Sequence, residues 1–469
     1  MTVLPVKPLD PQAPQRRIPY DPAKPLLRPF ATQAASFLSG ASSPRAVLED
    51  CIVTIAADEP AIAAFVVQDL EGARRAADAA TARWKAGSPL SPVDGMPLVV
   101  KDMIETADLP TQMNNPIYDG WVARRDAAGV LALRQAGAVI LGKTVTTEFA
   151  VSNSGPTRNP YDTSRTPGGS SSGSAAAVGA GMAAMGLGTQ THASTIRPAS
   201  FCGAYAIKAT HDALHAGGLA PLAPTLDHLG LIGASLEDVW ATAIQIGRRV
   251  GGTPPHPGIA GPETLPVSRK PATLVRLDTL GWAETPETSR AAFEGAVAKL
   301  AAAGVRILDA SNDAEVAALE AALSEIGEWS NDILAWEARW PLQAYRAHGA
   351  GMVGARIHDL LARVERMTVE TYVAAVAARQ ALRDRVAAFA GRVDGFAMLA
   401  SSGPAVQDHA WTGSRNYPTP WTLVAGPAFA LPVLAADELP LGLQIAGFTD
   451  QDAETCAIAA FVRDTLLPR

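Results

Sequence analysis

Cysteine is scarce in this chain of 469 residues: only Cys51, Cys202 and Cys456 occur, odd in number and far apart. With no C-x-x-C pair, neither a disulfide framework nor a zinc site is indicated, and a reduced, cytoplasmic setting is expected. Charge is sparse too. Charged residues are 18% of the chain, below the usual quarter, and the net charge is −7 with no run of five Lys or Arg. Such a composition argues against nucleic acid or an anionic membrane as a partner. The longest run of small residues, Ala175 to Leu187, is too short and too glycine-rich to span a bilayer. The opening MTVLPVKPLDPQAP lacks an apolar core, so no leader peptide is expected. No internal repeat stands out.

Apolar residues, glycine and proline are plentiful: 48% of the chain is hydrophobic, with 40 Gly and 36 Pro. That describes a large core with many loops. Pro5, Pro8, Pro11 and Pro14 recur every third residue, with Pro19, Pro22, Pro25 and Pro29 behind them. The period suits a polyproline II arm crossing the body or a partner subunit; a disordered tail is the other reading. Residues 1–29 are therefore set apart from one domain over 30–469. From Phe30 to Lys85 the apolar spacing is helical, as in VLEDCIVTIA and LEGARRAADAATARW. Met96 to Val100 reads as a buried strand, and Lys101 stands at its C-terminal end, where α/β sheets usually carry their chemistry. A surface lysine closing a strand is the plainer alternative.

A helix over 126–137 and a strand from Ala138 to Leu141 follow. Gly137 to Thr144 satisfies G-x-x-x-x-G-K-[ST], the phosphate-loop pattern. A phosphate loop needs its middle residues free to curl around phosphate, and here they form the strand. Gly142 is more simply a turn residue. Asn153 to Pro167 is a long loop. It leads to Gly168-Gly169-Ser170-Ser171-Ser172-Gly173-Ser174, in which Gly169 to Gly173 fits G-x-S-x-G. The nucleophile elbow requires a strand just before it, and Thr163 to Pro167 supplies none. A flexible Ser/Gly linker is also disfavoured, since 175–186 is helix-forming and a serine stands ready to cap it. A second polar knot follows at Gly188-Thr189-Gln190-Thr191-His192-Ala193-Ser194-Thr195-Ile196-Arg197.

Beyond Lys208, a Gly/Pro loop runs to a helix capped by Ser235. Strands over 272–275 and 305–308 enclose a helix over 285–303, a further α/β unit. From 314 to 390 nearly everything is helical, a mostly helical insertion. Its Trp329, Trp336, Trp340 and Tyr345 read first as core and second as a cleft for apolar substrates. Phe396 to Leu399 and Leu441 to Ile445 are strands, Trp421 to Ala430 is loop and strand, and 451–466 is the last helix.

A serine nucleophile needs a base, and a buried lysine held neutral can be one. Spacing alone does not show that Lys101 meets the serines. The stretch Thr166–Lys208, together with PLVVKDMIETADLPT, GKTVTTEF, the Asn-Pro-Tyr-Asp before the Gly pair and PLGLQIAG, resembles the amidase signature family from about residue 30 to 465. The resemblance implies an α/β fold, one domain with a large mixed sheet between helices, and a Ser–cisSer–Lys triad that hydrolyses C–N bonds. Position by position it implies Lys101 as general base, Ser170 as relay on a cis peptide bond, and Ser194 as nucleophile. The backbone N–H groups of Thr191, His192, Ala193 and Ser194 would form the oxyanion hole, with Ser171, Gln190 and Arg197 supporting. It implies a small amide, carbamate or ester as substrate, no metal and no cofactor, in a monomer or homodimer.

This chain departs from the family at two places. His192-Ala193 stands where Gly-Gly or one Gly is usual, and a Cβ is costly if φ must be positive there. His192 either enters the pocket or turns outward. Gln190 stands where many relatives carry Asp, as in members acting on small or xenobiotic amides rather than in the tRNA-dependent enzyme. Three rival readings remain: the glutaminase (A-type) subunit of an amidotransferase, an impaired binding member, and a nucleotide-binding protein using Gly137 to Thr144. Pocket shape is expected to depend on the loops around 112–125 and on the helices of 314–390.

Overall fold

The computed structural model describes residues 2–3 and 11–467. Twelve strands among these residues form one mixed sheet. In spatial order they are Thr2–Val3, Phe65–Gln68, Val139–Thr144, Pro97–Lys101, Met185–Gln190, His228–Gly233, Tyr205–Lys208, Ala428–Ala436, Leu439–Ala446, Gly395–Leu399, Thr273–Arg276 and Arg306–Leu308. Helices sandwich the sheet, as an α/β chain with near-continuous apolar strands requires. No helix among the described residues is long and apolar enough to cross a membrane. Cys51, Cys202 and Cys456 are all buried and free.

The middle of the sheet positions the polar residues of interest. Pro97–Lys101 runs parallel to Val139–Thr144 on one side and to Met185–Gln190 on the other. Every residue of these three strands is buried. Parallel pairing aligns their C-terminal ends, so Lys101 and the end of the Met185–Gln190 strand emerge at one edge. The phosphate-loop reading fails here, because Val139–Thr144 is strand throughout and Lys143 lies in its buried interior.

Five local expectations are corrected. The helical reading of 30–85 is interrupted by the strand Phe65–Gln68, reached after Pro44–Ile62 ends with Ala63 in the left-handed region (φ 53°). The helix expected over 175–186 is Ser172–Gly179, stopped at Gly181 (φ 74°), whose N–H returns to the Val178 carbonyl at 2.9 Å. Ser171 occupies its N-cap without capping it, because its hydroxyl bonds to Thr189 instead. The Gly/Pro loop before Ser235 contains the strand His228–Gly233, and Trp421 sits in a short helix, Thr419–Val424.

At its N-terminal side the chain is docked from Arg16 to Tyr20. Arg16 pairs with Asp58, the Ile18 N–H bonds to the Tyr161 carbonyl at 2.7 Å, and the Tyr20 ring packs edge-on against Tyr161. The Tyr20 hydroxyl donates to the Pro432 carbonyl. Pro5 and Pro8 of the three-residue period lie outside the described residues. In the helical block, Tyr345 stacks on Phe149 and Trp336 on Tyr372, while Trp340 is 70% exposed.

The serine-rich helix lies unusually close to the sheet. A Cβ at Gly173 would stand 2.3 Å from the Ala64 carbonyl oxygen and 2.5 Å from the Val145 nitrogen, both backbone atoms. Gly295, inside the helix Glu287–Ala302, has nothing within 4 Å of such a Cβ. Gly173→Ala should therefore lower unfolding free energy by about 1–3 kcal/mol. Gly295→Ala should raise it by about 0.5–1 kcal/mol. Chemical denaturation of both variants checks the pair, and equal effects would contradict the close approach.

Candidate active site

Lys101 is fully buried, and its ammonium nitrogen has two polar partners, both hydroxyls: Ser170 Oγ at 2.7 Å and Thr189 Oγ1 at 2.6 Å. Among the described residues, no carboxylate pairs with it. Loss of water with no ion partner disfavours the charged form, and its pKa falls to about 7, with Asp227 opposing weakly from a distance. Lys143, one strand away and equally buried, is held differently. It pairs with Asp102 at 3.2 Å and donates to the Pro110 carbonyl and the Thr111 hydroxyl. Burial lowers the pKa of both lysines, but only Lys143 has a paired carboxylate, Asp102, to oppose the shift.

Ser170 follows Gly169 through a cis peptide bond. The Gly169 carbonyl accepts from Arg197 Nη2 at 2.6 Å, and the Ser170 carbonyl accepts from the Thr147 N–H. Ser171 ties the two polar segments together. Its hydroxyl exchanges hydrogen bonds with the Thr189 backbone, and its N–H donates to the Ser194 carbonyl at 3.2 Å.

Thr191 to Ser194 form the turn between the strand Met185–Gln190 and the helix Ile196–Cys202. Gln190 Oε1 accepts from the N–H groups of Thr195 and Ile196 at 2.9 and 3.0 Å, and its amide donates to Thr422. Thr422 in turn donates to the His192 carbonyl at 2.8 Å. Among the described residues, no acceptor takes the backbone N–H of Thr191, His192, Ala193 or Ser194. Neither His192 nor Ala193 has positive φ, so their Cβ atoms carry no left-handed penalty.

Ser170, Thr191, His192, Ala193 and Ser194 line one cavity of about 350 Å³. His192 is turned inward and buried, and its Nδ1 accepts from Arg415 Nη1 at 2.8 Å. Burial and the neighbouring guanidiniums, Arg415 first, hold its pKa well below the usual imidazole value, so the ring is neutral. Arg197 is buried and fixed by the Gly413 and Gly169 carbonyls and the Thr412 hydroxyl. The remaining walls come from Thr147, 150–152, 411–416, Leu222 and Glu284, and from Leu334, Arg356 and Leu360 of the helical block. The loop around 112–125 contributes nothing, contrary to expectation. Asn115 ties it back to Glu148 and the Met352 carbonyl, behind the cavity wall. None of Trp329, Trp336, Trp340 and Tyr345 reaches the cavity either.

Sequence reasoning brought Lys101, Ser170, Ser171, Gln190, Ser194 and Arg197 to one place, and the structure assembles them. It missed Thr189, Thr422 and Arg415. Thr189 carried a signal, as a hydroxyl at the end of a strand neighbouring that of Lys101. Arg415 carried none, since it meets His192 from 223 residues away.

The amidase family model matches residues 46–456. The A-type subunit of glutamyl-tRNA(Gln) amidotransferase from Symbiobacterium thermophilum is 31% identical over 90% of this chain and 93% of its own length. Its counterpart from Acidothermus cellulolyticus is 40% identical, but over 45% of this chain and 44% of that protein. Thus the more similar alignments span less than half of those relatives. A solved amidase superposes with a TM-score of 0.77 at 25% identity, covering 92% of this chain and 99% of the other. Matched along most of its length in sequence and in fold, this chain belongs to the amidase family.

Proposed function

We propose that the cavity hydrolyses small amides through an acyl-enzyme on Ser194, with anilides, carbamates (urethanes) and esters within its range. The observation that carries this reading is the buried Lys101, bonded only to hydroxyls, one of which belongs to a serine lining the same cavity as Ser194. Neutral Lys101 accepts the Ser170 proton while Ser170 accepts the proton of Ser194 Oγ. The resulting alkoxide adds to the carbonyl carbon. The unpaired N–H groups of 191–194 receive the oxyanion, each such donor typically being worth about 3 kcal/mol. As the C–N bond breaks, the proton returns through Ser170 to the leaving amine, and water then releases the acid. The free N–H groups and the absence of positive φ at His192-Ala193 speak against an impaired binding member.

A second reading is supported by the long match to an A-type amidotransferase chain. As a glutaminase component the protein would need partner chains and show little activity alone. A turnover panel of anilides, primary amides, carbamates, dipeptides and glutamine, run on the isolated chain, separates the two.

Ser194→Ala should abolish hydrolysis of every substrate the wild type accepts, without a change in melting temperature. Phenylmethylsulfonyl fluoride should label the wild type and not that variant. Turnover surviving in Ser194→Ala would overturn the assignment. Lys101→Ala should cost nearly as much, because members of a relay act as a unit.

The pH profile follows from the lysine. Its reactive form is neutral, so it is lost as pH falls through about 7. For an uncharged substrate, kcat/KM should rise about tenfold per pH unit below that point and level off above it. A flat profile from pH 5.5 to 9, or a fall above 7, would exclude Lys101 as the base.

A further inference from the structure

Three guanidiniums line the cavity, those of Arg197, Arg356 and Arg415, against one carboxylate, Glu284. Glu284 does not neutralise them. It lies at the exposed rim and accepts from Asn416 and Ser402. Among the described residues, none of the three arginines makes an ion pair. Arg197 is committed to the chain itself, holding the Gly169 and Gly413 carbonyls. The other two are not committed in that way. Arg415 uses two of its five N–H groups, and on neutral acceptors, His192 Nδ1 and Asn331 Oδ1. Arg356, on the helix Ala355–Glu365, has no hydrogen-bond or ion-pair partner among the described residues.

Arg356, on an exposed helix face, and the partly buried Arg415 are like charges on one cavity, and both keep N–H groups free to bind. Arg415 is held down to about 10 by burial and by Arg356, and burial, then Arg415 and Arg356, keep His192 neutral. An anion entering the cavity would relieve that repulsion and supply the missing acceptors. A carboxylate suits the planar fork of a guanidinium. The volume of about 350 Å³ is at the small end for ligand sites, so the anion and the reacting amide must sit on one short molecule.

Resting on the amide-hydrolase reading above, we propose that the substrate is a short amide bearing a carboxylate, and that Arg415 and Arg356 hold that carboxylate and set specificity. Arg415 also fixes the His192 ring, so the residue that replaces glycine in the oxyanion turn is coupled to substrate charge. The probes are succinamate and butyramide, which differ by a carboxylate in place of a methyl group. Calorimetric titration into the Ser194→Ala protein measures binding without needing turnover. Succinamate should bind at least about tenfold more tightly than butyramide, one charge-assisted pair being worth about that factor. Arg356→Gln and Arg415→Gln, each in the Ser194→Ala background, should each remove most of the preference. Arg356 is on an exposed helix face, so its variant tests the idea even if Arg415→Gln does not fold. Equal affinities, no detectable succinamate binding at millimolar concentration, or a preference intact in the Arg356→Gln variant would overturn the proposal. Failure of the hydrolase reading would show separately, as wild-type enzyme that no sulfonyl fluoride labels.

Discussion

A lysine with no water and no carboxylate is the constraint on which this site depends. Burying an ammonium costs several kcal/mol unless it is paired, and a lysine can escape that cost by releasing its proton. Lys143 has Asp102 to oppose the downward push of its burial, whereas Lys101 has hydroxyls instead and its pKa falls to about 7. The two lysines stand on adjacent parallel strands, so their difference comes from partners rather than depth. Had an aspartate replaced Thr189 beside Lys101, the ammonium would be stabilised and the base lost. A threonine accepts one hydrogen bond and adds no charge, which positions the amine while leaving its pKa near neutrality.

The hydroxyl partners must reach the lysine, and that requires backbones to approach more closely than ordinary side chains permit. Gly173 brings the serine-rich helix against Ala64 and Val145, and a Cβ at Gly188 would meet Ser171 Oγ at 2.7 Å. Ser171 then bonds across the gap to Thr189 and to the Ser194 carbonyl. Gly186 and Gly188 made the strand Met185–Gln190 hard to recognise, because they stand where branched apolar residues usually mark one. Small residues thus serve the site and hide the strand that carries it.

What was legible in the sequence follows from this. Pro97–Lys101 is a short, continuous apolar run, so the strand could be read directly, whereas a lysine at its end is equally the pattern of a surface residue and its burial could not. The decoy motif at Gly137 to Thr144 could also be rejected, since a strand cannot curl around phosphate. Three consecutive serines could not be ranked by spacing; family resemblance chose Ser170, and its contact with Lys101 now gives the choice a physical basis. Phe65–Gln68 was hidden between two helical stretches, and His228–Gly233 by the two glycines that break its apolar run, so both are specified by their neighbours in the sheet. Thr422 and Arg415 act across more than 200 residues of chain, where local sequence carries no information.

The two departures from the family pattern bear on one physical quantity, the charge near the nucleophile. At position 190 an aspartate could accept the N–H groups of Thr195 and Ile196 as Gln190 does, but it would add a buried negative charge beside the turn. Gln190 keeps both bonds without that charge, and its amide reaches Thr422, which steadies the His192 carbonyl. His192 likewise adds bulk and a hydrogen-bond acceptor for Arg415 while staying neutral. Neither change offsets the arginines, and Gln190 leaves the cavity without the negative charge that an aspartate there would have added. A site that keeps its cations unpaired at the cost of mutual repulsion is organised for an anion that arrives with the substrate.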